Sequence, residues 1–555
     1  MRKIYILIIL SVFVCNISAQ TRTITGIVQK KEKAIPGATV IETGTNNTVI
    51  TDADGRFSIT VSDQANSLTV SNANYVSEQI MLDTSDDYNI RLSPLGFIRN
   101  KATLPNRFAM NPALRPIQGY IGVPFLNNIR IDARTNTFNL DHLTFRKNNE
   151  LVTFMHPDVG INEFLNDIKK NNYLSADFDY SLFTFGFYTG KSFWSFDAGV
   201  KAHADGNVPK SLFRFAKVGL DSDEAVRYNF KETQVTGNAY GEVAFGYSRS
   251  FLEDNLIVGL RTKFLVGFAD FDFKIQDLSL DAELDQWIVS SRATLKASAP
   301  GIKAKYDSDG KFDGIEFDDF DDMTLKPGYG LGFDIGASYA LAGLALPEGI
   351  WGDILSRFTF SGALTDIGFI RWPSVNTLEL ESVLDRQVVT GDIEIDYNNS
   401  DVLEDQLNDI KDNLEDILDL KETGRNRKYT SSLRMKMNLE LEYEFFKDML
   451  YAGLLSTTYF NSSHTVTELT LTGTYRPARW FAVALSYSFI HSKFNTFGAA
   501  IHLAPKSGIS FFLSSDYIVY HVSPQYIPVT TKGINLNFGL NIPIGKRRIP
   551  EVMNQ

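Results

Sequence analysis

The sequence predicts an all-β protein, in which a transmembrane antiparallel β-barrel of about 14 strands follows a small β-sandwich. Three observations predict this fold: an export signal, short strands separated by turn residues up to residue 95, and strict two-residue alternation of polar and apolar residues after it. Hydrophobic residues make up 44% of the 555 residues and charged residues 22%, which indicates neither a disordered chain nor a helical membrane protein. The formal net charge of −12 argues against a nucleic-acid partner, because phosphate binding needs clustered Lys and Arg.

Residues 1–19 are predicted to be a signal peptide. Positive residues at positions 2 and 3 precede an apolar run from Ile4 to Val14, and Ala19 provides a small residue for cleavage. The apolar run is too short to span a membrane as a helix. Lipidation of Cys15 is not expected, because Val14 is too bulky for the position before a lipidated cysteine. Cleavage after Ala19 removes the only cysteine of the chain.

Residues 20–95 are predicted to form a separate β-sandwich of about seven strands, because short apolar segments alternate there with turn residues. The pattern resembles the carboxypeptidase regulatory-like domain, a transthyretin-type sandwich that precedes many outer-membrane proteins of Bacteroidota. The residues that carry the resemblance are Gly26, Pro36-Gly37-Ala38, Thr51-Asp52, Gly55 and Phe57.

Asp52 and Asp54 raise the question of a calcium site in this domain. The loop has none of the later ligands that an EF-hand requires. Asp and Gly at these positions are typical of a tight turn, in which the carboxylate accepts nearby backbone N–H groups. No metal is assigned, and a turn is predicted.

Residues 96–555 are predicted to form the barrel, and the segment from Leu433 to Phe445 shows why. Leu, Met, Tyr and Phe occupy every second position, and Arg434, Lys436, Glu440 and other polar residues occupy the positions between them. Strands of soluble sandwiches usually run for about five or six residues, whereas these alternating segments run for about a dozen. That length matches a tilted strand that crosses a bilayer, with every backbone group paired in a closed sheet.

Further strands are predicted from the same alternation, and with ambiguous segments added they give the estimate of about 14. They are Phe183–Tyr188, Trp194–Ala202, Val243–Tyr247, Leu256–Phe268, Tyr329–Leu341, Phe358–Ile370, Tyr451–Phe460, Leu469–Tyr475, Phe481–Phe489, Phe497–Leu503, Ile509–Tyr517 and Ile534–Ile542. Aromatic residues near the strand ends, such as Trp194, Tyr329, Trp480 and Phe489, fit interfacial girdles.

Two short motifs carry a second resemblance. Asn111-Pro112-Ala113, ahead of the first barrel strands, and Thr365-Asp366-Ile367-Gly368-Phe369-Ile370-Arg371-Trp372 resemble an outer-membrane family of unknown function in Bacteroidota. That family is distantly similar to the long-chain fatty-acid transporter barrels, which have fourteen strands and an N-terminal hatch. The resemblance therefore implies that Asn111, Pro112 and Ala113 belong to a hatch. The chain departs from the usual pattern after Ile544, where it continues to Gln555 instead of ending the last strand on an aromatic residue.

A helix is predicted near residues 400–422, as an insertion in the barrel domain. Ser400 can cap its start, and Leu and Ile residues from Leu403 to Ile417 recur at helical spacing. The opposite face is acidic, which fits a docking or cation-bridging helix but is more typical of a solvated loop helix. A shorter amphipathic segment, Ile161–Ile168, fits a hatch or a loop helix.

The acidic segment 307–322 also raises the question of a calcium site. With Gly314 at the glycine position of an EF-hand loop, Lys311 and Phe320 occupy two ligand positions, and neither can bind the ion. A charged surface loop is therefore predicted, with no metal and no cofactor.

No catalytic residues are predicted. Four histidines (His203, His464, His491 and His502) lie in or near predicted strands, but the chain has neither a Gly-x-Ser-x-Gly elbow nor a His-Glu-x-x-His zinc motif. The inward charges are instead predicted to line the lumen, where they either bind a ligand or pair with one another and fill the barrel. These lumen candidates are Arg261, Lys263, Arg434, Lys436, Glu440, Glu442 and Glu444.

The resemblance implies a barrel of the bacterial outer membrane, surrounded by lipid, that binds or transports a hydrophobic or amphipathic small molecule. A lumen packed with paired side chains would argue against this function. The alternative is a non-transporting scaffold, in which the sandwich recruits a protein partner and the barrel serves as its anchor. A TonB-dependent receptor is disfavoured, because the barrel domain is too short for a plug and about 22 strands.

Overall fold

The computed structural model shows two compact units, the N-terminal domain within residues 1–99 and the barrel within residues 100–250 and 256–546, and each is described by itself. The structure describes residues 21–30, 33–62, 65–72, 75–91, 105–116, 118–137, 144–148, 150–218, 227–252, 254–283, 286–308, 312–319, 326–344, 346, 350–389, 418, 420–423, 427–446, 449–478, 480–490, 493–505, 508–516, 518 and 533–545. The predicted signal peptide and His491 lie outside these residues.

The N-terminal domain is a sandwich of two four-stranded sheets. One sheet has the order β2-β1-β5 with β8 beside β1, and the other has the order β4-β3-β6-β7. Its core consists of inward residues from both sheets, including Ile24, Val40, Phe57, Ile59 and Val70. The strands are β1 (Thr21–Lys30), β2 (Lys33–Ala34), β3 (Thr39–Glu42), β4 (Thr48–Ile50), β5 (Arg56–Ser62), β6 (Ser67–Asn72), β7 (Tyr75–Met81) and β8 (Asp87–Arg91).

The turn before β5 is held by Asp52. Its Oδ1 atom accepts the backbone N–H groups of Asp54 at 3.0 Å and of Arg56 at 2.8 Å. Gly55 has a φ of 73°, a conformation that favours glycine. The two carboxylates of this loop therefore belong to a turn, as the sequence predicted.

The barrel domain contains the remaining strands and the short helices. Its strands are β9 (Gly119–Gly122), β10 (Asn128–Thr135), β11 (Thr144–Lys147), β12 (Glu150–Thr153), β13 (Asn171–Thr189), β14 (Ser192–Pro209), β15 (Arg227–Asn229), β16 (Gln234–Phe251), β17 (Leu256–Glu283), β18 (Gln286–Ser298), β19 (Ile302–Tyr306), β20 (Phe312–Phe317), β21 (Gly328–Ala340), β22 (Phe358–Trp372), β23 (Thr377–Val389), β24 (Lys421–Glu422), β25 (Tyr429–Ser432), β26 (Lys436–Phe446), β27 (Leu450–Phe460), β28 (Thr465–Ala478), β29 (Phe481–Ile490), β30 (Lys493–Leu503), β31 (Ser510–Ser515) and β32 (Gly533–Ile544). Its helices are η1 (Pro105–Ala109), α1 (Ile161–Leu165), α2 (Lys210–Val218), η2 (Leu341–Gly343), α3 (Ile350–Ser356) and η3 (Ser374–Asn376).

The longer of these strands close into an antiparallel barrel of 14 strands, which confirms the predicted fold class. The hairpins β11–β12 and β19–β20 are separate from it. β9 and β10 together form the first barrel strand, β25 and β26 together form the eighth, and β32 pairs with both β9 and β10 to close the ring. We call the end of the barrel where β9 begins and β32 ends the near end, and the opposite end the far end. β32 ends at the near end, where Ile544 lies opposite Gly119. The sheet therefore closes although the last residue of β32 is not aromatic.

The barrel is apolar outside and polar inside, and strand β26 shows the pattern. Leu439, Leu441 and Phe445 are 39%, 40% and 47% exposed, whereas the glutamates between them are less than 9% exposed. Successive side chains of a strand point to opposite faces, so the apolar residues face outward all around the ring. An apolar surface of this extent is far larger than a soluble monomer tolerates and is that of a barrel of the outer-membrane type.

A second sheet extends the wall beyond the barrel at the far end. The second half of β17 leaves the barrel and pairs with β18, which pairs in turn with β23. Phe230, Leu278, Leu295 and Leu380 form part of an apolar core under this sheet. In the described part of the chain, no helix is long and apolar enough to cross a membrane.

The structure corrects or locates several local predictions. Lys421–Glu422, expected at the end of a helix, forms β24 and pairs with β23, because Leu418 and Leu420 are buried in the apolar core of the far-end sheet. The rest of the predicted helix lies outside the described residues, apart from Leu418 and Leu420. The segment from Ile161 forms α1 in the connection between β12 and β13, and Phe164 is buried there among aromatic residues.

Leu433 also departs from the predicted alternation. It lies between β25 and β26, where the strand is interrupted, and it is buried beside Tyr240, Leu265 and Trp372 instead of facing outward. The alternation predicts an uninterrupted strand, so it does not reveal this break. In the segment 307–322, β19 and β20 form a hairpin, and residues 309–311 and 320–322 lie outside the described residues.

Candidate functional site

The lumen holds the charged side chains that the sequence assigned to it. Arg261 and Lys263 of β17 are 3% and 1% exposed, and Arg434 is buried just before β26. Lys436, Glu440, Glu442 and Glu444 follow at alternate positions of β26 on the inner face. Alternation alone brings these residues into the lumen, because both strands are part of the barrel wall.

A charge-balanced cluster occupies the middle of the lumen, and we call it the central ion network. Lys263 Nζ lies 2.7 Å from Asp334 Oδ1 and also pairs with Asp366. Arg261 Nη2 lies 3.1 Å from Glu242 Oε1 and 3.2 Å from Asp197 Oδ1. The four cations are Lys201, Arg261, Lys263 and Lys436, and the four carboxylates are Asp197, Glu242, Asp334 and Asp366.

Asp366 reaches this network from a β-bulge. Thr365 and Asp366 stand opposite the single residue Asp334 of β21, and Asp366 has a φ of 57°. A bulge of this kind turns the side chain of the extra residue, and the Asp366 N–H donates to Asp334 Oδ1 at 2.7 Å. Part of the Thr365–Trp372 motif therefore aims a carboxylate at the lumen lysines.

The residues predicted to form a hatch lie inside the barrel. Asn111 donates from Nδ2 to the backbone carbonyls of Ala337 and Gly362, each at 3.3 Å, and its Oδ1 accepts the N–H of Ala113 at 2.9 Å. Asn438 of β26 donates to the carbonyl of Met110 at 2.9 Å. We call residues 105–116 the hatch segment.

The hatch segment fits against glycines of the wall. A Cβ atom at Gly259 would lie 2.3 Å from the carbonyl carbon of Pro112, and one at Gly336 would lie 2.1 Å from Asn111 Oδ1. Only glycine permits so close an approach of two backbones. The segment is also held by the ion pair between Arg107 and Glu440 and by packing of Phe108 against Tyr120 and Phe193. The hatch segment and the central ion network therefore both occupy the described lumen.

The barrel wall is interrupted after β9, the short strand that follows the hatch segment. We call residues 123–127, between β9 and β10, the wall break. They separate β9 from β10, with Phe125 at a φ of 65° and 64% exposed on the outside. Asn127 points the other way and is fully buried, and neither of its amide atoms has a hydrogen-bond partner among the described residues. β13, the neighbouring strand, also carries a bulge next to Leu182, whose carbonyl accepts the Phe125 N–H at 3.3 Å. Two neighbouring strands are therefore irregular at this point of the described wall.

A small pocket of about 10 Å³, with room for about one water molecule, lies at the far end of the lumen, between the start of β13 and the connection from β27 to β28. Its walls include Arg134, Arg434, Tyr459, Tyr173, His464 and Asn461. The rings of Tyr173 and His464 stack with their centroids 3.7 Å apart. Both guanidinium groups lie over the ring of Tyr459, with their carbon atoms 4.1 and 5.0 Å from its centroid.

Hydrogen bonds connect this pocket to a histidine between two carboxylates. His203 Nδ1 lies 3.0 Å from Asp177 and Nε2 lies 3.0 Å from Asp205. Ser463 donates to Asp205, and its hydroxyl lies 2.7 Å from His464 Nδ1. His464 is in the connection between β27 and β28, where burial lowers its pKa to about 4. These hydrogen bonds connect the loop between β27 and β28 to side chains of the lumen. His502 is buried in β30.

Sequence reasoning missed the partners of the predicted cations. Lys201, Glu242, Asp334, Asp366 and Asp177 lie on other strands, and a single sequence does not show which strands bring them together. One signal was present, because Asp334 is the only charged residue on the polar face of its alternating segment. Among the described residues, no cluster of His, Cys, Asp and Glu is arranged to hold a metal ion.

Comparisons with known proteins identify the two domains. The model of a family of unknown function (DUF5723) matches residues 112–516, and the model of a CarboxypepD_reg-like domain matches residues 24–95. No curated protein matches the chain.

Among solved structures, the toluene transporter TbuX of Ralstonia pickettii is 10% identical, with 79% of this chain and 92% of TbuX covered and a TM-score of 0.32. The toluene transporter TodX of Pseudomonas putida is 7% identical over the same shares of the two chains, with a TM-score of 0.29. Similarities this weak carry no argument about the function of this chain.

Proposed function

Since this chain belongs to the DUF5723 family, a family of unknown function, we propose a function from the barrel itself: it binds an amphipathic small molecule in the outer membrane and gates its passage with the hatch segment. The proposed role is not enzymatic. The predicted ligand class included purely hydrophobic molecules, but the charged lumen favours a molecule that carries a polar group. A purely apolar ligand would separate buried ion pairs without replacing their partners, which costs several kcal/mol or more.

The single observation that carries the proposal is the continuity between the hatch segment and the wall break. Only six residues, 117–122, connect the two, and four of them form β9. A displacement of the hatch segment would therefore pull on the short strand that ends at the break. β9 is held to β32 by a ladder of only four residue pairs, from Gly119 to Gly122, so it is easier to release than a full-length strand.

The route that follows is lateral. A ligand that enters at the far end meets the central ion network, which blocks a straight path through the barrel. The wall break offers a way out toward the lipid, because its exposed residues are Pro124, Phe125 and Leu126 and its inner residue is the unpaired Asn127. An amphipathic molecule could present its polar group to Asn127 and its apolar part to the lipid.

The proposal is tested by locking the hatch segment. The Cγ atom of Asn111 lies 2.9 Å from a Cβ atom built at Gly336, and a sulfur atom at that place would be positioned for a disulfide. We therefore expect Asn111→Cys with Gly336→Cys to form one in the mature chain, whose only other cysteine is removed with the signal peptide. Proteoliposomes with this variant should take up an amphipathic fluorescent probe when reduced and stop when oxidised. Asn111→Cys alone is the control, because it leaves Gly336 in place and cannot form the disulfide. Equal uptake in both states, or no uptake by the unmodified protein, would refute the proposal.

The second candidate function is a membrane-anchored scaffold, and the central ion network favours it. Four cations paired with four carboxylates connect neighbouring strands and fill part of the lumen. In this case the CarboxypepD_reg-like domain recruits a protein partner. Pull-down experiments with and without residues 20–95 test it: loss of a partner on deletion, together with no uptake in the locked-hatch experiment, would favour the scaffold.

A further inference from the structure

Two buried asparagines beside the wall break have no hydrogen-bond partners. Asn127, in the break, is 0% exposed, and Asn541 of β32 is 1% exposed. In the described part of the chain, they are the two asparagines whose amide nitrogen and amide oxygen are both buried and unpaired. A buried polar group without a partner costs free energy, because it has lost its hydrogen bonds to water. The closed wall is therefore destabilised at these two side chains.

Both asparagines are neighbours of Gly122, the last residue of β9. Asn541 stands opposite Gly122 in the ladder between β32 and β9. A Cβ atom at Gly122 would lie 2.5 Å from the Cβ atom of Asn127 and 2.8 Å from its Nδ2 atom. The two unpaired amides thus flank the point where β9 ends and the wall break begins.

β9 itself is held by few backbone pairs. It has four residue pairs with β32 and two with β13, where Tyr120 lies opposite Gly186 and Ile121 lies opposite Phe185. Segments with few backbone pairs open at a lower free energy than the rest of a fold. Separation of β9 from β32 would bring both amides to water or to the polar group of a ligand, so their desolvation destabilises only the closed wall.

A paired asparagine in the same barrel shows the difference. Asn172 of β13 is 1% exposed, and its Nδ2 atom donates to the carbonyls of Lys169 and Val208, each at 2.9 Å. Its Oδ1 atom accepts the N–H of Lys169 at 3.1 Å. Burial of an asparagine in this wall therefore does not by itself leave its amide unpaired.

We propose that Asn127 and Asn541 lower the stability of the closed wall and so set how readily β9 separates from β32. The inference rests on the proposed function, because it assigns the opening of the lateral route to these two residues. Replacement of an unpaired buried amide by an apolar group of similar shape removes the cost of desolvation. Leucine is close to asparagine in size, so it should favour the closed wall at either position.

The test measures hydrogen–deuterium exchange of β9 in the purified full-length mature protein in detergent, by mass spectrometry of a peptide that covers residues 119–122. In Asn127→Leu and in Asn541→Leu, we expect the exchange of this peptide to slow at least about tenfold, since an unpaired buried group changes an equilibrium by roughly one order of magnitude or more. A peptide from β28 serves as the internal reference and should not change. Unchanged or faster exchange of β9 in both variants would overturn the proposal.

Asn172→Leu is the matched control, because it makes the same change at a buried asparagine whose amide is paired. It should leave the exchange of β9 unchanged and lower the temperature of unfolding, whereas the two test variants should not lower that temperature. Slower exchange of β9 to the same extent in Asn172→Leu would overturn the proposal, because any added apolar group would then have the effect. Since Asn127 and Asn541 lie in different segments of the chain, either test variant decides the result if the other does not fold.

The proposed function and this inference fail in different ways. Uptake that stops on oxidation of the locked-hatch variant, together with unchanged β9 exchange in both leucine variants, would leave the gated barrel standing and overturn the role of the two asparagines. Slower β9 exchange in both leucine variants, without any uptake by the unmodified protein, would support that role and refute transport.

Discussion

Lys263 of β17 and Asp366 of β22 pair across the strand that separates them, β21. The contact is possible because the bulge at Asp366 turns its carboxylate toward the lumen, while Lys263 extends from a regular strand position. Asp334, from the strand between them, also contacts Lys263 and accepts the Asp366 N–H. Three neighbouring strands are thus connected by side chains in addition to their backbone ladder.

Removal of one member of this pair should destabilise the barrel. Asp366→Asn keeps a residue that tolerates the positive φ but leaves Lys263 with less negative charge around it. We expect a loss of about 3 kcal/mol in the free energy of unfolding, because breaking a buried pair leaves an uncompensated charge. Urea unfolding in detergent micelles measures it. The double variant Lys263→Met with Asp366→Asn should recover part of the loss, and an additive effect of the two changes would contradict the coupling.

The hatch segment should be displaced when Gly259, which contacts it, is replaced by a larger residue. Ala113 is 1% exposed, so a cysteine placed there should react slowly with a maleimide. Gly259→Val places side-chain atoms where the Pro112 backbone lies, and the same cysteine should then react at least about tenfold faster, as expected for a buried group that becomes accessible.

Gly473→Val is the matched control for this experiment, because a Cβ atom at Gly473 meets nothing within 4 Å. Labelling of Ala113→Cys that stays slow with Gly259→Val, or that rises equally with Gly473→Val, would contradict the close seating of the hatch segment.

The connection that carries His464 should weaken as the pH falls. Burial lowers the pKa of His464 to about 4 from its ordinary 6.5, so between these values the unfolded chain binds more protons than the folded one. Its neutral packing against Tyr173 is therefore fully present above pH 6.5 and is lost as the pH falls toward 4. Protease cleavage between residues 461 and 464 should speed up over this range. In His464→Phe the rate should stay flat, and an unchanged pH profile in that variant would assign the effect to another group.

A charged residue on the outer face should destabilise the barrel more strongly, the closer it lies to the middle of the bilayer. Phe264 is 53% exposed on the outer face of β17, away from the strand ends. Phe264→Arg should cost roughly 2–4 kcal/mol of folding free energy in lipid vesicles, whereas Ile542→Arg, two residues before the near-end terminus of β32, should cost about 0–1 kcal/mol. Equal costs at the two positions would mean that the outer face does not follow the profile of a bilayer.

Much of this architecture follows from the period-two pattern, because a barrel wall with lipid outside and charges inside forces alternation along every strand. Glu440, Glu442 and Glu444 could be placed on the inner face from their spacing alone. Asp366 and Leu433 could not be placed in this way, since a bulge or a break changes which face a residue occupies without leaving a periodic signal.

The candidate site was predictable only in part for the same reason. The cations Arg261, Lys263 and Arg434 stood out as charges within alternating segments. Their partners depend on which strands become neighbours and on register, and a single sequence contains neither. The length of β17 was also missed, because the apolar residues shift from even to odd positions after Phe268, where the strand leaves the barrel for the far-end sheet.

The measurement that tests the central claim most directly is the accessibility of consecutive residues of β26 in a lipid bilayer. Single cysteines at positions 439 to 442 of a chain that carries Cys15→Ser would bear nitroxide spin labels in proteoliposomes. We predict that labels at Leu439 and Leu441 collide with oxygen dissolved in the lipid, and that labels at Glu440 and Glu442 do not. A water-soluble nickel complex that reaches Leu439 and Leu441 as readily as oxygen does would contradict an outer face in contact with lipid.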